Sequence, residues 1–291
     1  MSETALRTKV FLSSDEHDGF GVTSTIIYGE KEAMLVDAQF TIANAHRLLA
    51  DIIELNRELK YIFITHLHPD HYLGLEVIKA YYPDARVIAY QKAADDINDA
   101  YDFKIDYWGN TVLKSNGANI KFSVEKWQQD EITLEGEQIK ILGLLCGDCT
   151  DIAALWLEKS RTLIASDLVF SDCHVWIADM RTPEILKNWF KTLDTLDTLE
   201  ALEPLRVIPG HSSAALTLHP CAISFTRQYI NDFIRELKRS KDAAQLVATM
   251  DRLYPDYPIR ICLEYSAKIL KDRYVWPGDW PLSLRHLASG Y

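Results

Sequence analysis

Ten consecutive residues, Thr65–Gly74, constrain this chain more than any other stretch. They read Thr-His-Leu-His-Pro-Asp-His-Tyr-Leu-Gly and place three imidazoles and one carboxylate within the six positions from His66 to His71. Imidazole nitrogen and carboxylate oxygen are the usual protein ligands of zinc and of neighbouring first-row metals. The alternative is that these histidines are solvated turn residues or satisfied core groups, but four potential ligands in six positions favour a metal site.

The flanking residues predict where this cluster lies in the fold. Lys60–Thr65 is an apolar, β-rich run of strand length. The apolar residues after the cluster have the spacing of a buried helix face: Leu73, Leu75, Val77 and Ile78. We therefore expect the cluster where a strand turns into a helix. On extended chain His66 and His68 point to one side, whereas Asp70 and His71 on the turn face a second point, so two metal ions are suggested.

Composition indicates a soluble globular protein without a nucleic-acid partner. The chain has 291 residues, of which 48% are hydrophobic and 25% charged, enough for one large α/β domain or two smaller ones. The formal net charge of -11 argues against a phosphate-backbone partner, since nucleic-acid binding draws on clustered Lys and Arg.

The cysteines and the N-terminal residues predict the location of the protein. Five cysteines are an odd number at no disulfide-framework spacing, which favours a reducing compartment: Cys146, Cys149, Cys173, Cys221 and Cys262. The start Met-Ser-Glu-Thr lacks a charged n-region and an apolar h-region, and no stretch approaches the roughly 18 apolar residues of a membrane span. We expect a cytoplasmic protein with a small-molecule substrate and no membrane partner.

Hydrophobic periodicity predicts mixed α/β structure in two successive sets. The first set has strands at 10–12, 22–28, 33–36, 61–65 and 86–90, and helices at 42–55, after the cluster and at 91–101. The weak pattern from Asp102 to Asn119 predicts a loop or lid. The second set has strand-like runs at 121–124, 132–134, 138–145, 153–157, 162–165 and 205–211.

Helices dominate the remainder of the chain. A helix is expected over 183–199, with Thr182 as its N-cap and Pro183 as its first residue. Beyond residue 211 the apolar spacing predicts helices at 222–238, 242–254 and 263–271, closed by Trp276-Pro-Gly. This tail is expected to form a cap over a pocket or a dimer surface.

The stretch from His66 to His71 resembles the His-x-His-x-Asp-His signature of the metallo-β-lactamase superfamily, and further landmarks follow in the family's order. Ala165–Phe170 resembles the family's Gly-Asp-Leu motif, with Ser166 in place of the usual Gly and Asp167 as the acidic residue. Leu205–His211 ends in Pro-Gly-His, as the family has it. Together the landmarks cover about residues 8 to 215.

One landmark departs from the family pattern. Where hydrolase relatives read Pro-Gly-His-Thr, this chain reads Cys146-Gly-Asp-Cys-Thr and places Asp148 where the family has a ligand histidine. With His66 and His68, Asp148 would form a two-His, one-carboxylate set that also suits iron or manganese. Cys149 could compete for a soft metal. The alternative is that Asp148 only caps a turn and the first site is weak or empty.

The resemblance implies two metal sites that share one carboxylate. The implied ligands are His66, His68 and Asp148 for the first metal, Asp70, His71 and His211 for the second, and Asp167 as the bridge. Asp37, at a predicted strand end, is expected to orient a ligand imidazole from outside the ligand set. Asp70 is expected to orient the hydroxide and pass its proton to the leaving group. His174 would bind or protonate the substrate, or else be a packed structural residue.

The resemblance also implies the fold and the reaction. The fold is a four-layer αβ/βα sandwich, with two β-sheets inside and helices outside, over residues 1–215, followed by a helical C-terminal extension over 216–291. The reaction is hydrolysis of a small ester, thioester, lactone or amide by a metal-bridging hydroxide, with two divalent ions, zinc first and iron or manganese as alternatives. Two other functions stay open: a non-haem iron oxidoreductase of the same fold, and a one-metal binding protein or disabled enzyme. A homodimer is a further expectation.

Overall fold

The first of two β-sheets contains six strands. The computed structural model describes residues 5–14, 19–197 and 203–275, and the structural statements below concern these residues. The strands lie side by side in chain order: β1 (Arg7–Leu12), β2 (Thr23–Tyr28), β3 (Glu32–Val36), β4 (Glu58–Ile64), β5 (Arg86–Tyr90) and β6 (Glu125–Trp127). Pairing is antiparallel from β1 to β3 and parallel from β3 to β6.

The second sheet contains five strands and ends in a parallel pair. Its strands are β7 (Glu131–Leu134), β8 (Glu137–Leu145), β9 (Ile152–Leu157), β10 (Thr162–Ser171) and β11 (Arg206–Ser212), in the order β11-β10-β9-β8-β7. β10 pairs with β11 in parallel, and the other pairs are antiparallel. β10 is longer than the predicted run over 162–165 and carries Asp167 within the strand.

The two sheets pack face to face over a shared apolar core. Buried side chains from both sheets form this core, among them Ile27, Met34, Phe63, Ile139, Leu155 and Ile208. Side chains alternate between the two faces of a strand. Ile26, Ile62 and Ile64, which adjoin Ile27 and Phe63 in sequence, therefore point to the opposite face and belong to a second apolar cluster that also contains buried helix residues. Each sheet therefore buries one face against the other sheet and the opposite face against helices.

Seven α-helices are described, and they complete a four-layer arrangement. They are α1 (Ile42–Leu55), α2 (Leu75–Tyr81), α3 (Lys92–Trp108), α4 (Pro183–Asp197), α5 (Cys221–Arg239), α6 (Ala243–Leu253) and α7 (Arg260–Lys271). Thr182 Oγ1 accepts a hydrogen bond from the Ile185 amide at 3.2 Å, as expected of the α4 N-cap. α3 packs on the first sheet, and α4 and α5 pack on the second. The αβ/βα sandwich with a helical C-terminal region is confirmed.

The prediction of a loop or lid over 102–119 was wrong in its first part. α3 continues to Trp108, and a π-helical turn over Gly109–Leu113 and a 3-10 turn over Lys114–Asn116 follow it. The reason is an uninterrupted buried face at helical spacing, formed by Ala100, Tyr101, Lys104, Tyr107 and Trp108. The strand expected at 121–124 instead begins at Glu125.

Two predictions fall partly outside the described residues. The helix expected to reach Leu199 is described to Asp197, and the Trp276-Pro-Gly ending lies beyond residue 275. The domain boundary at residue 215 stays a prediction. In the described ranges, no helix combines the length and the apolar character needed to cross a membrane.

Candidate metal centre

The cluster of histidines lies at the carboxyl end of β4. β4 ends at Ile64, a single 3-10 turn forms over Pro69–His71, and α2 begins at Leu75, so the predicted position between strand and helix is confirmed. The candidate ligands of this segment are all buried: His66, His68, Asp70 and His71. A Cβ on Gly74 would overlap the carbonyl oxygen of Ala38, which explains why the turn into α2 ends on glycine.

The second sheet brings three more buried side chains to the same place. Asp148 lies in the turn between β8 and β9, Asp167 lies within β10 and His211 lies within β11. The backbone of Ser166 is left-handed, with φ 49°, and the register of β10 against β11 shifts on both sides of it. This left-handed position, which favours glycine, accounts for the Gly expected there in the family motif.

Asp167 lies at the middle of the cluster and approaches three imidazoles. Its Oδ2 is 3.5 Å from His66 Nε2 and 3.1 Å from His211 Nε2. Its Oδ1 is 3.2 Å from His71 Nε2. The single carboxylate therefore connects donors of both sheets, as the family resemblance implied for a bridging residue.

The other two carboxylates face separate histidines. Asp148 Oδ2 is 3.0 Å from His68 Nδ1. Asp70 Oδ2 is 3.3 Å from His211 Nε2 and 3.6 Å from His71 Nε2. Groups of donor atoms in which all members lie within 4.8 Å of one another are His66, His68, Asp148 and Cys149; His66, His71 and Asp167; and Asp70, His71 and His211. Each of the seven predicted ligands lies in at least one of these groups. The ligand role of each is a proposal.

Three of the four imidazoles are held at Nδ1, so that Nε2 faces the cluster. Thr65 Oγ1 is 2.9 Å from His66 Nδ1, Asp37 Oδ2 is 2.8 Å from His71 Nδ1, and the Phe20 carbonyl oxygen is 2.8 Å from His211 Nδ1. A partner on the outer nitrogen fixes the ring, and in the neutral imidazole it also selects the tautomer that has its lone pair on the inner nitrogen. Asp37 also accepts hydrogen bonds from the Thr65 amide and hydroxyl, so it supports two of the three imidazoles.

His68 is held the other way round. Its Nε2 donates to Asp179 Oδ2 at 3.1 Å, and Trp176 Nε1 donates to the same oxygen at 2.9 Å. Nδ1 therefore faces Asp148. Sequence analysis did not identify Asp179, because no motif or spacing relates it to the histidines.

Several inward-facing atoms are buried and lie close to one another but make no well-aligned hydrogen bond. They are His66 Nε2, His71 Nε2, Asp167 Oδ1 and both carboxylate oxygens of Asp148. An unpaired buried polar atom costs about 1–3 kcal/mol, and more if it is charged, so such atoms are uncommon in native proteins. Lone pairs of imidazole and carboxylate aimed at a common point are the donors that a divalent metal ion requires. The residues present therefore fit a metal ion.

The electrostatics of the cluster favour positive charge beside its carboxylates, since Asp167 outweighs burial and raises the pKa of His71 well above its usual range and that of His211 to about 8. Burial raises the pKa of Asp148 to about 7. Burial opposes ionisation of Asp167 as well, but His71 and His211 outweigh it and hold the pKa of Asp167 well below its usual range. Burial and the neighbouring His71 lower the pKa of His66 to about 4, so this imidazole is neutral near pH 7.

An open cavity reaches the cluster. Its wall is largely aromatic, with Phe20, Phe103, Tyr107, Trp108 and Trp176. Among the described residues, Lys104 on α3 is the only lysine or arginine that lines the cavity, and it is buried. α7 contributes Cys262 to the wall. The helical C-terminal region thus forms part of the cavity wall. The signal for Lys104 was present in the sequence as the helical spacing of α3, but the helix was predicted to end at Tyr101.

His174 is not brought into this cavity. Its Nδ1 is 2.8 Å from Tyr229 Oη, and its ring packs edge-on against Tyr257 at 6.1 Å. Burial lowers the pKa of His174 to about 4. The structure places it among the helices of the C-terminal region, as a packed histidine.

Two sheets between layers of helices, with a buried His and Asp cluster at the ends of their strands, define a metallo-hydrolase-like class of protein. Comparison of the sequence with family models gives the metallo-beta-lactamase superfamily over residues 17–211. The chain therefore belongs to the metallo-β-lactamase superfamily. No curated protein matches the chain.

Solved structures agree with this assignment. A metallo-beta-lactamase family protein from Thermus thermophilus is 18% identical with a TM-score of 0.61, and the match covers 94% of this chain and 96% of that one. The metallo-beta-lactamase FEZ-1 from Legionella gormanii is 17% identical with a TM-score of 0.54, and the match covers 75% and 90%. DIM-1 metallo-beta-lactamase is 18% identical with a TM-score of 0.54, and the match covers 78% and 98%. At these identities the likeness shows the fold.

Proposed function

We propose that this protein is a metal-dependent hydrolase that acts on a small ester, thioester, lactone or amide. The observation that carries the proposal is the convergence of His and Asp donors from both sheets, with inner lone pairs that have no hydrogen-bond partner. Two divalent ions, zinc first, suit this set because its donor groups define more than one point.

The donors would divide between two ions. His66 Nε2, His68 Nδ1 and Asp148 would hold the first ion, and the second would be held by Asp70, His71 Nε2 and His211 Nε2, with Asp167 between them. A pair of such ions supplies polarisation of the substrate carbonyl and lowers the pKa of bound water towards 7. Asp37 and Thr65 keep the imidazoles in the orientation that this division needs.

Asp70 is placed to move a proton. It lines the cavity and lies beside His71 and His211, so a water at the cavity floor is within reach of its carboxylate. We infer that Asp70 orients the attacking water, accepts its proton and returns the proton to the leaving group.

The cavity wall suits a small substrate with an apolar portion. Aromatic side chains such as Trp108 and Trp176 exclude water and offer flat apolar contacts. Lys104 adds an amino group near Asp70 and Asp179, and burial lowers the pKa of this group. A substrate with an acyl or aromatic portion and one polar or anionic group fits this surface.

The carboxylate at position 148 favours one second candidate, a non-haem iron oxidoreductase. His66, His68 and Asp148 form a two-His, one-carboxylate set, which is also a donor set for iron. A one-metal binding protein stays the third interpretation. Metal analysis after gentle purification separates the three functions. Two zinc ions per chain would support the hydrolase, iron would support the oxidoreductase, and a single ion per chain would support the binding protein. Cytoplasmic location and a homodimer stay predictions.

The test of hydrolysis compares metal-stripped and reloaded protein. We expect chelation to abolish turnover of generic esters or lactones and two equivalents of Zn²⁺ to restore it. His71→Ala and Asp167→Ala should lower turnover by about a hundredfold or more, since each removes a donor. His46→Ala, an exposed histidine on α1, is the matched control. Full turnover in the stripped protein, or in both donor variants, would place the chemistry elsewhere.

A further inference from the structure

Cys149 lies beside the first candidate metal site and is held there by the backbone. It is buried in the turn between β8 and β9, next to Asp148. The Gly147 amide donates to the Cys149 carbonyl oxygen at 2.9 Å, and the Asp148 amide donates to the Asp167 carbonyl oxygen at 3.1 Å. This turn is therefore tied both to itself and to β10, which fixes the backbone that carries the two side chains.

The sulfur of Cys149 belongs to a group of four donor atoms. Cys149 Sγ, one nitrogen each of His66 and His68, and one oxygen of Asp148 lie within 4.8 Å of one another. Cys149 Sγ donates a hydrogen bond to the Thr150 carbonyl oxygen at 3.3 Å, an ordinary length for a thiol donor. This acceptor belongs to the next residue of the same turn, so the sulfur stays beside the other three donors while it makes this bond.

Two other cysteines near the site provide a contrast. Cys146 Sγ is directed at the Ile185 carbonyl oxygen, 3.4 Å away, and Cys262 reaches the cavity from α7. Neither belongs to a group of donor atoms in the described part of the chain. The position of Cys149 is thus not a general property of the cysteines around the cavity.

An independent observation supports a cation at this site. Both oxygens of Asp148 and His66 Nε2 are buried and make no well-aligned hydrogen bond, although Asp148 Oδ2 lies 3.0 Å from His68 Nδ1, and Asp148 and His66 are 1% and 0% exposed. A cation between these three atoms would satisfy all of them. Cys149 adds a fourth donor at the same point.

We propose that Cys149 is a protein ligand of the first metal ion, so that this site comprises His66, His68, Asp148 and Cys149 in addition to the shared Asp167. This inference rests on the metal centre of the proposed function. On binding, the thiol proton passes to buffer and the sulfur electron pair forms the bond to the metal, with no change of oxidation state. A sulfur donor favours zinc, cobalt or cadmium over manganese at this site.

A sulfur ligand from Cys149 has a consequence for the roles of the two ions in the centre. Zinc sites with four protein ligands are closed, whereas catalytic sites keep an open position. The first ion would then organise the centre, and the position open to substrate would belong to the second site, beside Asp70.

The experiment is a titration of metal-free, full-length protein with Co²⁺ alone, followed by near-ultraviolet absorption. A thiolate bound to cobalt gives a charge-transfer band that imidazole and carboxylate do not give. We expect the band to saturate at one thiolate-bound cobalt per chain in the unaltered protein and in the Cys146→Ser and Cys262→Ser controls. In Cys149→Ser the band should be absent, and the affinity of one cobalt should fall about 10- to 100-fold.

X-ray absorption of zinc-saturated, unaltered protein gives a second readout that needs no variant. We expect a sulfur neighbour at about 2.3 Å in addition to nitrogen and oxygen neighbours at about 2.0–2.2 Å. A shell of nitrogen and oxygen alone would overturn the inference, as would a cobalt band that persists in Cys149→Ser. Protein that binds no cobalt would overturn the metal centre together with the inference.

These outcomes are separable from the hydrolase proposal. A thiolate band without ester or lactone hydrolysis supports the Cys149 ligand and contradicts the reaction. Hydrolysis restored by Zn²⁺ without a sulfur neighbour does the reverse, because it supports the metal-dependent reaction and rejects Cys149.

Discussion

Asp179 Oδ2 accepts a hydrogen bond from His68 Nε2 at 3.1 Å, and this contact decides which nitrogen of His68 faces the candidate metal site. His68 Nδ1 is consequently the atom that lies 3.0 Å from Asp148. Trp176 Nε1 holds the same Asp179 oxygen, so the carboxylate is fixed on two sides. Asp179 is therefore a positioning residue for the first site in our interpretation.

Asp179→Asn should weaken the first metal site. The amide keeps the size of the side chain but removes the charge that holds His68 Nε2–H, and loss of such a partner costs about 10- to 100-fold in metal affinity. Competition with a chromophoric chelator measures the change. Asp102→Asn, an exposed residue paired with Lys121, is the control and should bind metal as the unaltered chain does. Equal affinities in all three proteins would remove Asp179 from the site.

Asp148 should prove necessary for the first ion and dispensable for the second. Asp148→Ala removes a donor of the first site and leaves Asp70, His71 and His211 in place, so we expect one metal ion instead of two by elemental analysis. Asp148→Asn keeps the size but loses the charge and should also lose occupancy. Asp148→His should retain two ions with a shift towards zinc. Two ions and unchanged turnover in both Asp148→Ala and Asp148→Asn would reject coordination and leave Asp148 as a turn residue.

Gly210→Ala should disturb the centre although position 210 carries no donor. A Cβ at this position would overlap Asp167 Oδ1 and crowd the Asp167 amide, so Asp167 or β11 must shift. We expect a loss of about 1–3 kcal/mol in the free energy of unfolding and lower metal content. Gly109→Ala is the control, because a Cβ there meets nothing within 4 Å and the backbone is helical. It should be neutral or stabilising by up to about 1 kcal/mol. Full metal content in Gly210→Ala would show that β11 yields without moving Asp167.

His174 should make the stability of the metal-free protein depend on pH. Burial lowers its pKa from 6.5 to about 4, with Asp251 opposing and Arg260 adding to the shift. The unfolded chain therefore binds the proton more readily than the folded protein. The contribution of neutral His174 to the free energy of unfolding is complete above pH 6.5 and is lost as the pH falls towards 4. The loss should reach about 3 kcal/mol.

Chemical denaturation of the unaltered protein and of His174→Gln between about pH 8 and pH 4 checks this prediction. Their free energies of unfolding should converge as the pH falls, because glutamine does not titrate. A constant difference across that range would show that His174 takes up a proton as readily in the folded protein as in the unfolded chain.

The sequence was most informative where ligands are close together in the chain. His66 to His71 lie on one turn, so the local pattern alone predicts a metal chemistry and a position between strand and helix. The structure confirms the position. The landmarks at Asp148, Asp167 and His211 were found through family resemblance, since periodicity does not indicate which strands become neighbours. The structure brings all three to the histidines.

Residues that contact the site only through the tertiary structure could not be identified from the sequence. Asp179 is 111 residues from His68, and no spacing rule relates the two. Lys104 was missed for a different reason, because polar residues on the exposed side of α3 concealed a buried face that continues to Trp108. His174 lies close in sequence to the cavity residue Trp176, yet its ring packs against Tyr229, since neighbouring residues of an irregular segment can face opposite ways.

The distribution of donors over both sheets also orders events during synthesis of the chain. His71 precedes His211 by 140 residues, and Asp167 lies between them. At about 5–20 residues per second, the three histidines leave the ribosome about 7 to 30 s before their last partner. Early in this interval the nascent chain offers His66, His68 and His71 without Asp148 and Asp167, and throughout it His211 is missing, so any ion that it captures is held by an incomplete set. We therefore expect the ion of the complete centre to be fixed only after His211 has joined it, so the ion supply at that moment should matter more than the supply while the histidines emerge.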